Sequence, residues 1–100
     1  MTDAAFDELI HAPNRLRICT MLAAVDAMEF SVVRDALGVS DSVLSKQVKV
    51  LQVASYVSVT KARGSSHPRT WLALTPEGQQ ALAGHILELR RIVEMAQTSK

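Results

Sequence analysis

Residues 40–55 read Ser-Asp-Ser-Val-Leu-Ser-Lys-Gln-Val-Lys-Val-Leu-Gln-Val-Ala-Ser, and as an α-helix this stretch separates into two faces. Apolar residues at helical spacing form one stripe, which comprises Leu44, Val48 and Leu51. The opposite face carries hydroxyls and lysines without a carboxylate, and consists of Ser42, Ser45, Lys46 and Lys49. A helix held by one face and cationic on the other suits a DNA groove, although on this stretch alone a solvated amphipathic helix explains the pattern equally well.

Local signals predict that this helix is the second of a helix-turn-helix. Ser40 is the expected N-cap, because its hydroxyl can accept an unpaired N–H of the first turn. The preceding residues 31–38 predict a short helix that is capped by Ser31 and ended by Gly38 in a left-handed conformation. Its inward side chains are expected to be Val33, Ala36 and Leu37. Two helices joined by a short turn containing glycine form the helix-turn-helix pattern.

After residue 55 the apolar period changes from that of a helix to that of a strand. Residues 56–63 and 69–75 are predicted strands, and the turn residues Gly64-Ser-Ser-His-Pro68 join them into a hairpin. The inward face of the first strand is expected to carry Val57, Val59 and the stem of Lys61, and that of the second strand Thr70, Leu72 and Leu74. A hairpin directly after such a helix indicates a wing, and the basic residues at its tip are Arg63, His67 and Arg69.

Helices are also predicted at both ends of the sequence. Residues 3–11 form a short first helix, Pro13 begins a second one that runs to residue 25, and residues 26–30 form a connector. Thr75 and Pro76 are the expected cap and first residue of the last helix. The last helix has apolar residues at heptad spacing, namely Leu82, Ile86, Leu89, Val93 and Ala96. We interpret residues 76–97 as a dimerisation helix, the alternative being a helix that packs only on its own core.

Length and charge indicate one domain with a local basic region. The 100 residues, 48% of them hydrophobic, suffice for a single core. The net charge is only +1, but residues 40–69 carry +4 whereas residues 1–39 carry −3. A basic patch on a nearly neutral domain is typical of a nucleic-acid-binding protein.

Several function classes are not expected. No apolar run approaches the roughly 20 residues of a membrane span, and an acidic N-terminus with a single cysteine fits a protein of the reducing cytoplasm. The three histidines are far apart in the sequence, and Cys19, on the inner stripe of its helix, is interpreted as a small buried hydrophobe. No metal, no cofactor and no catalytic activity are expected, because the sequence has no nucleophile–base set or phosphate-binding glycine loop.

Four segments together resemble a known family. They are Phe30-Ser-Val-Val-Arg-Asp-Ala-Leu-Gly38, Val39-Ser-Asp-Ser-Val-Leu-Ser45, Leu51-Gln-Val-Ala-Ser-Tyr-Val57 and Arg69-Thr-Trp-Leu-Ala-Leu-Thr-Pro-Glu-Gly78. The chain from about Pro13 to His85 is similar to the compact winged-helix transcriptional regulators related to the MarR and ArsR families. The resemblance implies a homodimeric DNA-binding repressor or activator. Ala54-Ser55 stands where these regulators usually have Ala-Gly, and Ser42-Val43 where they commonly have Gly-Asn.

These observations predict a mainly α fold with a small β-hairpin wing, a winged helix-turn-helix with N- and C-terminal helices. We expect a sequence-specific regulator of transcription that binds double-stranded DNA as a homodimer on an inverted-repeat operator. The expected DNA contacts are Ser42, Ser45, Lys46, Lys49, Arg63 and Arg69, with Ser31 and Arg34 as weaker candidates. A winged-helix protein-interaction module without DNA binding is the alternative, and a small-molecule effector is compatible with the sequence but not indicated by it.

Overall fold

The computed structural model describes residues 2–62 and 68–98, within which the chain forms five helices and three strands. The helices are α1 (Glu8–His11), α2 (Pro13–Ala23), α3 (Phe30–Leu37), α4 (Asp41–Val53) and α5 (Pro76–Thr98). The strands are β1 (Met28–Glu29), β2 (Val57–Ala62) and β3 (Arg69–Leu74), which form an antiparallel sheet in the order β1-β3-β2. The mainly helical winged-helix architecture predicted from the sequence is confirmed.

A single core gathers apolar side chains from the helices and from one face of the sheet. The predicted inner stripe of α4 is confirmed, since Leu44, Val48 and Leu51 are 0%, 5% and 0% exposed. The rest of the core consists of Ile10, Ile18, Cys19, Leu22, Val33, Val57, Leu72, Leu74 and Leu82. Each large side chain buried in this way contributes about 1.5–3 kcal/mol of hydrophobic free energy, so the inner face of α4 is firmly held.

The beginning of α3 differs from the sequence prediction. The predicted connector contains the short strand β1, whose two residues pair with Leu72 and Trp71 along the free edge of β3. The helix therefore begins at Phe30, with Glu29 as its N-cap residue. Ser31 is not the cap, and its hydroxyl instead donates a hydrogen bond of 3.0 Å to the Glu29 carboxylate. A strand of two residues carries no alternating pattern, so the sequence gives no signal for it.

Three other helix predictions need correction. Ala36 is predicted to face inward, but it is exposed. The side chains of α3 that pack on the core are Phe30, Val33 and Leu37. The first helix covers only Glu8–His11, because the residues before it are extended along α5, where the Ala5 N–H donates to the Gly84 carbonyl. The second helix ends at Ala23, two residues before its predicted end.

The Ser40 cap predicted for the beginning of α4 is confirmed, and Ser55 closes the other end, where the related regulators usually have glycine. The Ser40 hydroxyl accepts the Val43 N–H at 3.2 Å, and Gly38, just before it, has the left-handed φ of 69°. At the other end Ser55 takes the left-handed position with φ 65°, and the Tyr56 N–H donates to the Leu51 carbonyl at 2.9 Å. These contacts form a Schellman motif, so serine ends this helix in the way glycine usually does.

We predict that Ser55→Gly raises the free energy of unfolding by about 1 kcal/mol, because glycine adopts a positive φ without the steric cost that serine has. Urea denaturation followed by circular dichroism measures the change. Ser58→Gly in the exposed part of β2 is the control, and it should lower stability by about 0.5–1 kcal/mol. A loss of stability in Ser55→Gly would contradict this account of the helix end.

Candidate nucleic-acid interface

The outer face of α4 is the cationic surface that the sequence predicts. Ser42, Ser45, Lys46 and Lys49 are all exposed, on the side of the helix opposite to its buried stripe. Lateral support comes from α2, since the Arg15 guanidinium donates a hydrogen bond of 2.8 Å to the Gln47 side chain. The structure therefore presents these four side chains together on one rigid element.

An open groove of about 620 Å³ lies between α4 and the hairpin. Polar side chains line it from both sides, namely Asp41, Ser45, Lys49 and Gln52 from α4, and Lys61 and Thr70 from the strands. The lining contains the ammonium groups of two lysines and the carboxylate of one aspartate, so its net charge is positive. Lys61 and Gln52 are absent from the sequence-predicted contacts. The strand alternation placed Lys61 with the inward residues Val57 and Val59, but Lys61 is exposed where the hairpin extends beyond the core.

The structure describes the two strands of the wing, residues 57–62 and 69–74. Arg69 begins β3 and pairs with Ala62 of β2, and its side chain is exposed. Lys61 pairs with Thr70 in the next register position, so Lys61 and Arg69 both belong to the outer part of the hairpin. The predicted contact Arg63 and the tip residue His67 lie outside the described residues.

Arg34, a weaker candidate contact from the sequence, is paired with acidic side chains. Its guanidinium contacts two carboxylates, Asp35 at 3.0 Å and Asp41 at 2.8 Å. The hydrogen bond to Asp41, then that to Asp35, raises the pKa of Arg34. The contact with Asp41 links α3 to the first residue of α4.

The heptad seam of α5 has two different environments along its length. Leu82 is 4% exposed and belongs to the core of this chain, and Ile86 is partly buried against that core. Farther along, Val93 is 52% exposed and Ala96 is exposed too. A shallow groove of about 350 Å³ follows this outer part, lined by Ile86, Leu89 and Val93 with Arg90, Glu94 and Gln97. The surface available to a partner therefore begins at Ile86, and Leu82 lies beneath it.

Two histidines that are far apart in the sequence meet in the structure. His11 Nδ1 lies 3.1 Å from His85 Nε2, and His85 is fully buried. Folding brings α1 against α5, and the sequence separation of these residues gave no indication of it. Even so, no group of three or more His, Cys, Asp or Glu side chains suited to a metal ion occurs among residues 2–62 and 68–98.

Within the same described ranges, the helices are too short or too polar to cross a lipid bilayer.

Comparison with known proteins identifies the fold. Residues 14–93 match the winged helix DNA-binding domain family. The chain is similar to a transcriptional regulator homologue from Pyrococcus horikoshii OT3, with a TM-score of 0.85 and 21% identity over 90% of this chain and 89% of that one. No curated protein sequence matches the chain significantly.

Longer regulators share the same fold over part of their length. The PcaV transcriptional regulator from Streptomyces coelicolor, solved with its natural ligand, has a TM-score of 0.74 and 18% identity over 90% of this chain and 62% of its own. ZitR from Lactococcus lactis, a zinc-responsive MarR family member, has a TM-score of 0.61 and 19% identity over 84% of this chain and 57% of its own. The matched family and these solved structures are regulators and not enzymes.

We predict that the Cys19 thiol is unreactive in the folded protein. Burial, then the nearby Asp7 carboxylate, raises its pKa to about 11, so only about one thiol in a thousand is ionised at pH 8. Ellman's reagent should react at least about 100-fold more slowly with native than with guanidinium-unfolded protein. Equal rates would show an accessible thiol and would favour a redox role.

Proposed function

Because the chain belongs to the winged helix DNA-binding domain family, we propose that it is a transcriptional regulator that binds double-stranded DNA sequence-specifically as a homodimer. The observation that carries this proposal is the outer face of α4, where two serines and two lysines are exposed on a helix whose opposite face is buried. Solved structures of this fold, such as the regulator homologue from Pyrococcus horikoshii OT3, support the same class of function.

The side chains of α4 suit two kinds of DNA contact. The ammonium groups of Lys46 and Lys49 extend far enough to reach phosphates or guanine edges along a major groove. Ser42 and Ser45 are short, so they suit base edges only where the helix lies deep in the groove. Serine hydroxyls both donate and accept hydrogen bonds, and they therefore allow several base sequences at these positions.

The wing would extend the contact along the backbone. Arg69 and Lys61 are exposed on the outer part of the hairpin, and Lys61 lines the open groove between the hairpin and α4. In this proposal Arg69 and Lys61 neutralise phosphates beside the major groove that α4 occupies, and Arg63 of the wing tip contacts phosphate or the minor groove.

The outer part of α5 supports the homodimer. Leu89 and Val93 follow the heptad spacing of a helix–helix seam, and the adjoining Ile86 continues it toward the core. Pairing of this face with its copy would remove a row of apolar side chains from water. A two-fold dimer presents two α4 helices to successive major grooves, so we propose an inverted-repeat operator with half-sites about 10 bp apart.

Replacing both Lys46 and Lys49 with alanine should weaken binding to random-sequence duplexes and reduce the slope of log affinity against log salt by about 2, because two phosphate contacts are lost. Fluorescence anisotropy over a salt series measures both quantities. The single variants should each lose about half of this slope.

Arg17→Ala is the control for those single variants, because Arg17 is an exposed cation on α2 with the same charge. It should leave the slope nearly unchanged. Unchanged affinity in the double variant would remove both lysines from the interface. Absence of binding by a folded wild-type dimer even at low salt would favour the protein-interaction module instead.

Val93→Glu should make the protein monomeric at concentrations where the wild type is a dimer. A carboxylate at the seam must lose water on dimerisation without gaining a partner, which should weaken association by about tenfold or more. Multi-angle light scattering over a dilution series measures this.

Val25→Glu provides the matched control, since Val25 is 42% exposed in the turn after α2 and the substitution adds the same charge away from the seam. It should remain dimeric. A Val93→Glu protein that is still dimeric would exclude this face of α5 as the interface.

A further inference from the structure

Hydrogen bonds fasten the segment before α1 to the middle of α5. The Ala5 N–H donates to the Gly84 carbonyl at 2.9 Å, and the Asp7 N–H donates to His85 Nδ1 at 2.9 Å. At the end of α1, His11 Nδ1 lies 3.1 Å from the other nitrogen of the same ring. We call residues 3–11 the N-terminal strap.

The strap also contacts the junction between α4 and the wing. The Tyr56 hydroxyl donates to Asp7 Oδ2 at 2.7 Å, while Oδ1 of the same carboxylate accepts the Ile10 N–H and caps α1. The main chain of Tyr56 joins two elements, because its N–H donates to the Leu51 carbonyl of α4 and its carbonyl accepts the Thr75 N–H. Asp7 therefore connects the strap to Tyr56, the residue between the end of α4 and the beginning of the hairpin.

The hydrogen bonds determine where the imidazole protons lie. Nδ1 of His85 accepts the Asp7 N–H, so it carries no proton and the proton of this ring is on Nε2. His85 Nε2 therefore donates, and His11 Nδ1 accepts. The reverse arrangement would leave His85 with no proton on either nitrogen, an imidazolate that does not form near neutral pH. Both rings are neutral when the strap is docked.

Protonation of either ring removes a hydrogen bond. A proton added to His85 occupies Nδ1 and eliminates the acceptor of the Asp7 N–H. A proton added to His11 occupies its own Nδ1 and sets two N–H groups against each other across 3.1 Å. His11 is exposed, so protons from solvent reach this pair readily.

The immediate surroundings of the pair favour the neutral form. His85 is fully buried, and the Phe6 ring packs against both imidazoles with centroid distances of 4.8 Å to His11 and 4.7 Å to His85. Burial, followed by repulsion from a charged His11, lowers the pKa of His85 below its ordinary value, while the Asp7 carboxylate acts in the opposite direction. Asp7 itself accepts hydrogen bonds from the Tyr56 hydroxyl and the Ile10 N–H.

Three further ionisable groups on the packed elements are neutral or engaged by other partners. The Tyr56 hydroxyl is un-ionised, because its hydrogen bond to Asp7 raises its pKa to about 12. The Cys19 thiol of α2 is neutral as well. The Arg15 guanidinium of α2 donates to the Leu9 carbonyl at 2.6 Å and to Gln47 on α4.

We propose that His11 and His85 form a pH-dependent switch, in which proton uptake in mildly acidic solution releases the N-terminal strap from α5 and Tyr56 and thereby lowers DNA affinity. The effect on DNA rests on the proposed function, whereas the release of the strap does not. The docked state binds fewer protons than the released state, in which histidine titrates near pH 6.5. Docking is therefore complete above that pH and weakens below it, by up to about tenfold per pH unit for one proton.

The test compares backbone amide exchange at pH 7.5 and pH 5.5 by NMR, corrected for the intrinsic pH dependence of exchange. The protection factors of the Ala5 and Asp7 amides should fall by about tenfold or more in the wild type at pH 5.5. Amides of β3 serve as the internal reference and should keep their protection. Equal protection of the strap amides at both pH values would overturn the proposal.

The variant His11→Asn/His85→Asn separates the switch from general acid destabilisation. At position 85 the asparagine Oδ1 sits where the histidine Nδ1 does, so it can accept the Asp7 N–H, and neither asparagine can titrate in this range. Strap protection in this variant should not change between the two pH values. His11→Asn alone, at an exposed position, serves if the double variant does not fold, and it should show a smaller pH effect than the wild type. Loss of protection equal to the wild type in these variants would overturn the proposal.

DNA anisotropy at the same two pH values tests the consequence for binding. Wild-type affinity should fall by about tenfold more than that of the asparagine variant on going to pH 5.5. Release of the strap with no change in DNA affinity would overturn the coupling. Failure to bind DNA even at pH 7.5 would instead count against the proposed function, and amide exchange would still decide whether the strap is released.

Discussion

The burial of three side chains of α4 is the constraint on which the rest of the structure depends. Leu44, Val48 and Leu51 are held in the core, and they fix which face of the helix meets solvent. Because an α-helix is rigid over this length, burying one stripe determines the direction of every other side chain on it. The cationic face is therefore oriented by apolar packing and needs no contact of its own to hold it in place.

The end of α4 transmits this constraint to the other elements. Ser55 turns the chain with a positive φ, and Tyr56 leads directly into the hairpin. Thr75 closes the junction, since its hydroxyl donates to the Ser55 carbonyl at 2.6 Å and accepts the Gly78 N–H of α5 at 2.9 Å. One threonine side chain thus joins the end of α4, which carries the cationic face, to the beginning of α5, which carries the exposed apolar seam.

The sequence predicted the elements whose signals are local or periodic. The buried stripe of α4 and its Ser40 cap are confirmed, because each depends on residue type at fixed spacing. The strand β1 and the docking of the strap on α5 escaped prediction, since both depend on edges and surfaces that exist only after the chain has folded.

Among candidate site residues, exposure was predictable but pairing was not. Lys46 and Lys49 are exposed as the helical pattern indicates. The sequence offers Arg34 as a possible phosphate contact, and only the structure shows that it also contacts Asp41, seven residues away. The meeting of His11 and His85 is likewise a long-range consequence of packing. Which bases or phosphates the exposed face contacts depends on a partner, and it stays a prediction.

The measurement that tests the account most directly is selection of operators from random duplexes, followed by hydroxyl-radical footprinting of the best binder. A dimer that places two α4 helices in successive major grooves predicts an inverted repeat with half-sites about 10 bp apart and a footprint with two-fold symmetry. The protected backbone should lie on one side of the duplex. A single asymmetric half-site, or no enriched sequence despite tight binding, would contradict the account.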